Sequence, residues 1–220
     1  MSGAARQKVG VLVSGRGSNL QALLDAAAEP GYPAEIALVL SDKPEAQGLA
    51  RAKRAGVATR VVQRRDFESR EACDGAMTAA LEAAGVDLVC LAGFMRLLSE
   101  RFVERWRDRL INIHPSLLPL FPGLDTHTRA LAAGVKLHGC TVHFVRLEMD
   151  SGPIIGQAAV PVLPGDSEDT LAARVLQTEH RLYPHCLRLL ASGRVEVRGE
   201  TAQIAEPVSE PGVRLINPTP

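Results

Sequence analysis

The sequence predicts an α/β fold: a doubly wound, mostly parallel sheet with helices on both faces and an antiparallel strand pair towards the C-terminal end. Three observations carry this prediction. Short β-branched runs alternate with longer amphipathic ones through the first half of the chain, the pattern of strands joined by crossover helices. Pro115, Pro119 and Pro122 with Gly123 then forbid regular structure over several residues. Beyond that break, two strand candidates are separated by a turn-like segment, Glu148 to Gly152, so the two can pair antiparallel.

Taken in order, Lys8 to Ser14 reads as a strand buried on both faces and Ser18 to Ala28 as a helix. Ala34 to Ser41 is the second strand, Pro44 to Ala55 the second helix and Val57 to Val62 a short third strand. Asp66 to Ala84 reads as a long helix with Asp66 available to cap it, and Asp87 to Ala92 as a fourth strand. Ser99 to Arg107 is a helix, and Leu110 to His114 a fifth strand that ends at Pro115. After the proline-rich loop come a helix near Thr126 to Ala133 and the strand candidates Gly139 to Leu147 and Pro153 to Val162. Ser167 to Leu190 is a long helix, opened by Ser167, Glu168 and Asp169, and Arg194 to Arg198 a last strand.

A chain of 220 residues, 46% of them hydrophobic, supports one core. We expect a single domain over residues 1–200 and a proline-rich tail over 201–220 that wraps the surface or stays mobile. Lysine plus arginine equals aspartate plus glutamate at 25 each, so no broad field draws a polyanion, and nucleic acid is not an expected partner. Cys73, Cys90, Cys140 and Cys186 lie far apart with no C-x-x-C pair, which suits reduced thiols in the core. The first residues run directly into a strand with no leader-like pattern, and no apolar run approaches the ~20 residues of a membrane span. The expectation is a cytoplasmic protein without a membrane partner.

Gly15 and Gly17 stand between the first strand and the first helix, where bare backbone N–H groups meet the positive end of the helix dipole. That suits a phosphate held by Gly17, Ser18 and Asn19. The plainer reading is a tight turn with Ser18 as an N-cap. A dinucleotide fingerprint requires a small residue where Leu20 stands, although Asp42 lies where a ribose-binding acid would, so a nicotinamide cofactor remains an alternative. The lysine of a nucleoside-triphosphate loop is missing.

Asn112 and His114 are two residues apart on one strand, so period-two alternation points both side chains to the same face, at the strand's carboxyl end. An amide and an imidazole there can hold an oxygen that becomes negative during acyl transfer. Asp150, in the turn Glu148 to Gly152, would favour a charged imidazole if it came near His114. Taken alone it reads first as a turn aspartate bonded to its own backbone, and His114 taken alone is equally a structural histidine. Among the six histidines there is no H-E-x-x-H; His138 and His143 are an odd number apart on one strand, and His180 and His185 do not share a helix face well. No metal is expected.

The stretches SGRGSNLQALL (14–24), LAGFMRLLS (91–99), INIHPSLLPLFPGLDTH (111–127), HGCTVHFV (138–145) and MDSGPII (149–155) resemble the folate-dependent phosphoribosylglycinamide formyltransferases. The resemblance runs from the first strand to about Pro184. It implies a Rossmann-like formyltransferase fold and transfer of the formyl group of 10-formyltetrahydrofolate to the amine of glycinamide ribonucleotide, directly, through a tetrahedral intermediate. It further implies Asn112, His114 and Asp150 as catalytic residues, and Gly17, Ser18, Asn19 and Glu179 as contacts of the ribonucleotide. For the formylfolate it implies Arg70, Met95, Arg96, Leu97, Leu98 and Asn112, with Arg146, Leu147, Glu148, Met149 and Asp150. Arg70 would offer a cation to the carboxylate tail and 95–98 a wall to the pterin; otherwise Arg70 is a solvated charge and Met95 core. The family pattern leaves room for a homodimer. Leu120 and Asp125 depart from it, standing where some relatives carry a basic residue and a histidine. A deformylase, another formylfolate-dependent transferase and a non-catalytic folate- or nucleotide-binding module are the competing readings.

Overall fold

A computed structural model describes residues 5–205. Seven strands, β1 (Gln7–Val13), β2 (Ala34–Ser41), β3 (Ala58–Val61), β4 (Leu88–Leu91), β5 (Leu110–His114), β6 (Leu137–Phe144) and β7 (Ile154–Pro161), form one sheet. Its order is β3-β2-β1-β4-β5-β6-β7. The first five strands pair in parallel. β6 runs antiparallel to β5, and β7 to β6, as the short turn between them requires. The helices are α1 (Ser18–Ala27), α2 (Gln47–Arg54), α3 (Arg70–Ala83), α4 (Glu100–Arg105), α5 (Thr126–Ala132) and α6 (Glu168–Ala191). None is long and apolar enough to cross a membrane.

Alternation along β1 sets the two layers. Val9, Val11 and Val13 pack in one buried cluster with Leu20 and Leu23 of α1, Leu49 of α2 and Tyr183 and Leu187 of α6. Leu12 turns the other way, to Met77 and Leu81 of α3, to Phe102 of α4 and to Trp106 just after it. After β3 the chain crosses back and adds β4 on the other side of β1. That reversal of winding opens a crevice at the carboxyl ends of β1 and β4, the place where open α/β sheets take ligands.

Four expectations need correction. The second helix begins at Gln47 rather than Pro44, because the Ala46 N–H closes a turn on the Lys43 carbonyl and the Gly48 N–H is committed to the Gly15 carbonyl. The long helix expected from Asp66 is a short 3-10 turn, Arg64–Asp66, followed by α3. Phe67 is extended between them and packs on the core, and Ser69, not Asp66, caps α3 by accepting from the Ala72 N–H. Ser18 is the first helical residue of α1 and not its cap; left-handed Gly17 holds that position with no side-chain bond.

The fourth concerns the chain's end. Thr201–Ile204, read as the start of the tail, is strand β9, which pairs antiparallel with β8 (Val195–Arg198) in a separate two-stranded sheet. Gly199, at φ +60°, supplies the left-handed residue that so tight a turn demands. Pro207, Pro211, Pro218 and Pro220 lie outside the described residues.

Candidate functional site

The proline-rich segment after β5 is irregular but not loose. Thr141 of β6 accepts from the Leu118 N–H (3.0 Å) and donates to the Ser116 carbonyl (2.7 Å). Gln157 of β7 donates to the Leu118 carbonyl (2.8 Å), and Thr126 donates to that of Pro115 (2.8 Å). Side chains of two strands and a helix thus do what no backbone ladder can do for a stretch so rich in proline. The Leu118–Pro119 peptide is cis, and Phe121, Gly123 and Asp125 all have positive φ. The segment folds over the carboxyl end of β5 and delivers the Phe121 carbonyl to within 3.0 Å of His114 Nε2.

Asp150 arrives from the other side. Its φ of +54° is uncommon for a residue with a Cβ. Strain of that kind is tolerated where surrounding contacts over-determine the conformation. One such contact is the Gly123 N–H, which donates to Asp150 Oδ2 at 2.8 Å. The same oxygen lies 3.5 Å from His114 Nδ1, and Oδ1 lies 3.7 Å from His143 Nε2. His114 therefore has an acceptor facing each ring nitrogen, the Phe121 carbonyl and the Asp150 carboxylate. Gly152 sits under Phe144 so closely that an added Cβ would lie 1.8 Å from its carbonyl oxygen, and this turn accepts no side chain there.

His143 is the residue that sequence reasoning missed. It pairs across the β5–β6 ladder with Asn112, so the two side chains share a face. Its Nδ1 donates to the Phe144 carbonyl (2.9 Å), which leaves Nε2 to accept from Asn112 Nδ2 at 3.4 Å. Burial pushes this imidazole below its ordinary range, against the opposing pull of the Phe144 carbonyl and Asp150, so the ring is neutral and can accept. The Asn112 amide is thereby oriented, with one N–H spent on His143. Spacing from His138 shows only that the two rings oppose each other. His138 indeed turns elsewhere, meeting His127 edge-on at 5.3 Å, and burial, then His127, lowers it to about 4.

The glycine-rich turn lies across the crevice. Gly17 has φ +69°, and a Cβ on it would come within 2.6 Å of Gly48 Cα, so the close helix approach that Leu20 seemed to forbid is made by α2 instead. Leu20 itself is fully buried. Asp42, the alternative ribose ligand, accepts from Ser14 Oγ at 2.7 Å. Asn19 Nδ2 donates to Glu179 Oε2 at 2.7 Å, which brings together two residues 160 positions apart that were assigned to the same ligand.

Burial pushes Glu179 up to about 7, with the Asn19 bond pulling the other way. Asn19 Oδ1 is buried and has no hydrogen-bond partner among the described residues. A carboxylate raised in this way destabilises the fold progressively as pH climbs from its unfolded value through about 7, because the folded chain takes up protons that the unfolded chain has released. Replacing Glu179 by Gln should therefore raise stability above pH 7 by on the order of 3 kcal/mol, the gain fading to nothing below about pH 4.5. Urea unfolding of both proteins across that range measures the difference, and a gain that does not vary with pH would refute it.

The residues assigned to the formylfolate fall into two groups. Met95 and Leu97 are 66% and 63% exposed, and Leu147 and Met149 are 61% and 52% exposed, so four apolar side chains stand in solvent on the two loops. Large apolar groups left in solvent on loops are candidates for ligand surface. Glu148 and Arg70 are exposed, and Arg70 lies 3.7 Å from Glu71. By contrast, Leu98 is buried in the α4 cluster, the Arg96 guanidinium is bound to Asp74, and that of Arg146 is bound to Asp108 and Glu200. These three can offer a ligand their backbone but not their side-chain ends. Among the described residues, no three His, Cys, Asp or Glu side chains are grouped closely enough to hold a metal ion.

Residues 7–187 match the formyl transferase family. The chain is 52% identical over 199 residues to the trifunctional purine biosynthetic protein adenosine-3 of Drosophila melanogaster, covering 90% of this chain but only 15% of that protein's length. It is 48% identical to the phosphoribosylglycinamide formyltransferase of Escherichia coli (strain K12), over 87% of this chain and 91% of the relative. Among solved structures it is similar to glycinamide ribonucleotide transformylase 1 from Symbiobacterium toebii, with a TM-score of 0.89 and 48% identity, over 93% of this chain and 99% of the other.

Proposed function

Because this chain belongs to the formyl transferase family, we propose that it moves the formyl group of 10-formyltetrahydrofolate to the amine of glycinamide ribonucleotide. One observation carries the reading: Asn112, His114, His143 and Asp150 converge at the carboxyl edge of β5, within the crevice that the glycine-rich turn also borders. The folate fits the residues present. The faces of its flat rings can lie against the exposed side chains of Met95, Leu97, Leu147 and Met149, and its tail carboxylates suit the exposed Arg70. When bound, it supplies an activated formyl carbon.

The chain's own residues do the rest. Backbone N–H groups of Gly17, Ser18 and Asn19 at the start of α1 take the phosphate. Asn19 Oδ1 and Glu179 accept from hydroxyl or amine hydrogens of the ribonucleotide, which gives the orphaned oxygen its partner. The remaining N–H of Asn112 and an N–H of His114 hold the formyl oxygen as negative charge gathers there. His114 does so by exchanging its bond to the Phe121 carbonyl, while the Asp150 carboxylate stays beside Nδ1. Through a water, Asp150 also takes up the proton that the attacking amine sheds and returns it to the departing folate nitrogen as the bond between that nitrogen and the formyl carbon breaks.

Consumption of 10-formyltetrahydrofolate, followed by absorbance, tests the reading when run with glycinamide ribonucleotide, with other amines and with water alone. Consumption that requires the ribonucleotide is expected; equal consumption in water alone would make the chain a deformylase. A second expectation concerns the phosphate turn. Gly17→Ala puts a Cβ in the left-handed region and against the backbone of α2, and should raise KM for the ribonucleotide roughly tenfold while leaving formylfolate affinity unchanged. Steady-state kinetics with each substrate varied in turn decides it.

A further inference from the structure

Residues 93–98, between β4 and α4, form irregular backbone, and the two most exposed side chains of the stretch bury too little to hold it in place. Polar anchors hold it instead. At its start, the Ser14 N–H donates to the Gly93 carbonyl (3.1 Å), and Ser14 Oγ, itself donating to Asp42, accepts from the Met95 N–H (3.0 Å). At its end stands Asp74 of α3, 1% exposed, with Oδ1 2.6 Å from Arg96 Nη2 and Oδ2 2.6 Å from the Ser99 nitrogen. Arg96 Nη1 further reaches Cys73 Sγ at 3.2 Å, and the guanidinium lies 5.8 Å from the centre of the Phe94 ring.

We propose that Asp74 is a positioning residue for the formyl donor, acting through Arg96 and Ser99 on the wall formed by Met95 and Leu97. The proposal rests on the reading of that wall as folate-binding surface. Burying a carboxylate is costly unless its oxygens are fully engaged, and a contact that served only to pack a helix on a loop could be made by an apolar side chain. Here both oxygens are spent on one four-residue stretch, and the result is an alternation: Arg96 and Leu98 turn in, Met95 and Leu97 turn out. Drawing Arg96 inward also takes its guanidinium out of the cleft and pairs it with an acid, which leaves the wall apolar where the flat body of the folate would lie.

The test uses the full chain with Asp74→Asn, which keeps the shape and removes the charge, and with Arg96→Gln and Arg96→Lys at a partly exposed position. Fluorescence titration with folic acid, which has no formyl group to transfer, reads binding apart from catalysis. Asp74→Asn and Arg96→Gln should weaken folic acid binding and raise KM for the formyl donor by roughly tenfold, with Arg96→Lys losing less because it keeps the cation. KM for the ribonucleotide, kcat at saturation and the pH profile of kcat should not move. Unchanged folate affinity in Arg96→Gln, or a matching loss in ribonucleotide KM or kcat, would overturn the proposal even if Asp74→Asn fails to fold. A native chain that turns over with the ribonucleotide while its Arg96→Gln variant binds folic acid normally refutes this inference alone. A native chain that binds no folic acid refutes the functional reading with it.

Discussion

Asp150→Asn should lower kcat by about 10² to 10⁴ and leave the fold intact. Asparagine is one of the few residues that accept the left-handed conformation, so the variant can keep the φ of +54°. Its amide oxygen can still accept from the Gly123 N–H, which ties the turn to the proline-rich segment. What disappears is the negative charge 3.5 Å from His114 and 3.7 Å from His143, together with the group proposed to take up the amine proton. Asp150→Ala would confuse the matter, since alanine pays for the same φ without the side-chain bond. Steady-state kinetics and a thermal melt on the same preparation check the expectation. Near-native turnover at saturating substrates would remove Asp150 from the mechanism.

Asn112→Ala and His114→Ala should each cost on the order of 10² to 10³ in turnover, with much smaller changes in folate affinity. On the proposal that both side chains hold the same oxygen, the double variant should lose less than the product of the single losses, and a double-mutant cycle reads that coupling. Asn112→Ala carries a second cost. It removes the partner of His143 Nε2 in a ring only 2% exposed, and an unsatisfied buried acceptor typically costs ~1–3 kcal/mol. His114→Ala leaves the Asn112–His143 pair intact, so the two variants should differ in stability as well as in rate. Losses that multiply in full would mean that the two residues serve different steps.

Much of the fold was legible because its signals are local. The strands Ala34–Ser41 and Leu110–His114 have the boundaries that the sequence predicts, each being an apolar run closed by a polar residue or a proline. The errors lie where two local signals compete. Asp66 and Ser69 are both sound N-caps, and only the packing of Phe67 on the core decides between them. Pro44 suits a helical first turn, yet the docking of Gly48 on the loop after β1 starts α2 three residues later. Thr201–Ile204 has few apolar residues and shows no strand signal of its own; it becomes one because Gly199 turns it back on β8.

The amino-acid order alone determined that Asn112 and His114 share a face, since period-two alternation acts between neighbours along one strand. It determined likewise that a bare-backbone turn opens α1 and that no regular structure crosses residues 115–123. Only the tertiary structure decided that Asp150 meets both imidazoles, that His143 aims the Asn112 amide, and that Arg96 and Arg146 turn away from the cleft to acids 22 and 38 positions away. The physical reason is the range of the forces involved. Alternation and turn chemistry are written in a few adjacent residues, whereas strand register and the choice of partner for a buried charge are settled by segments that meet only after the chain has closed.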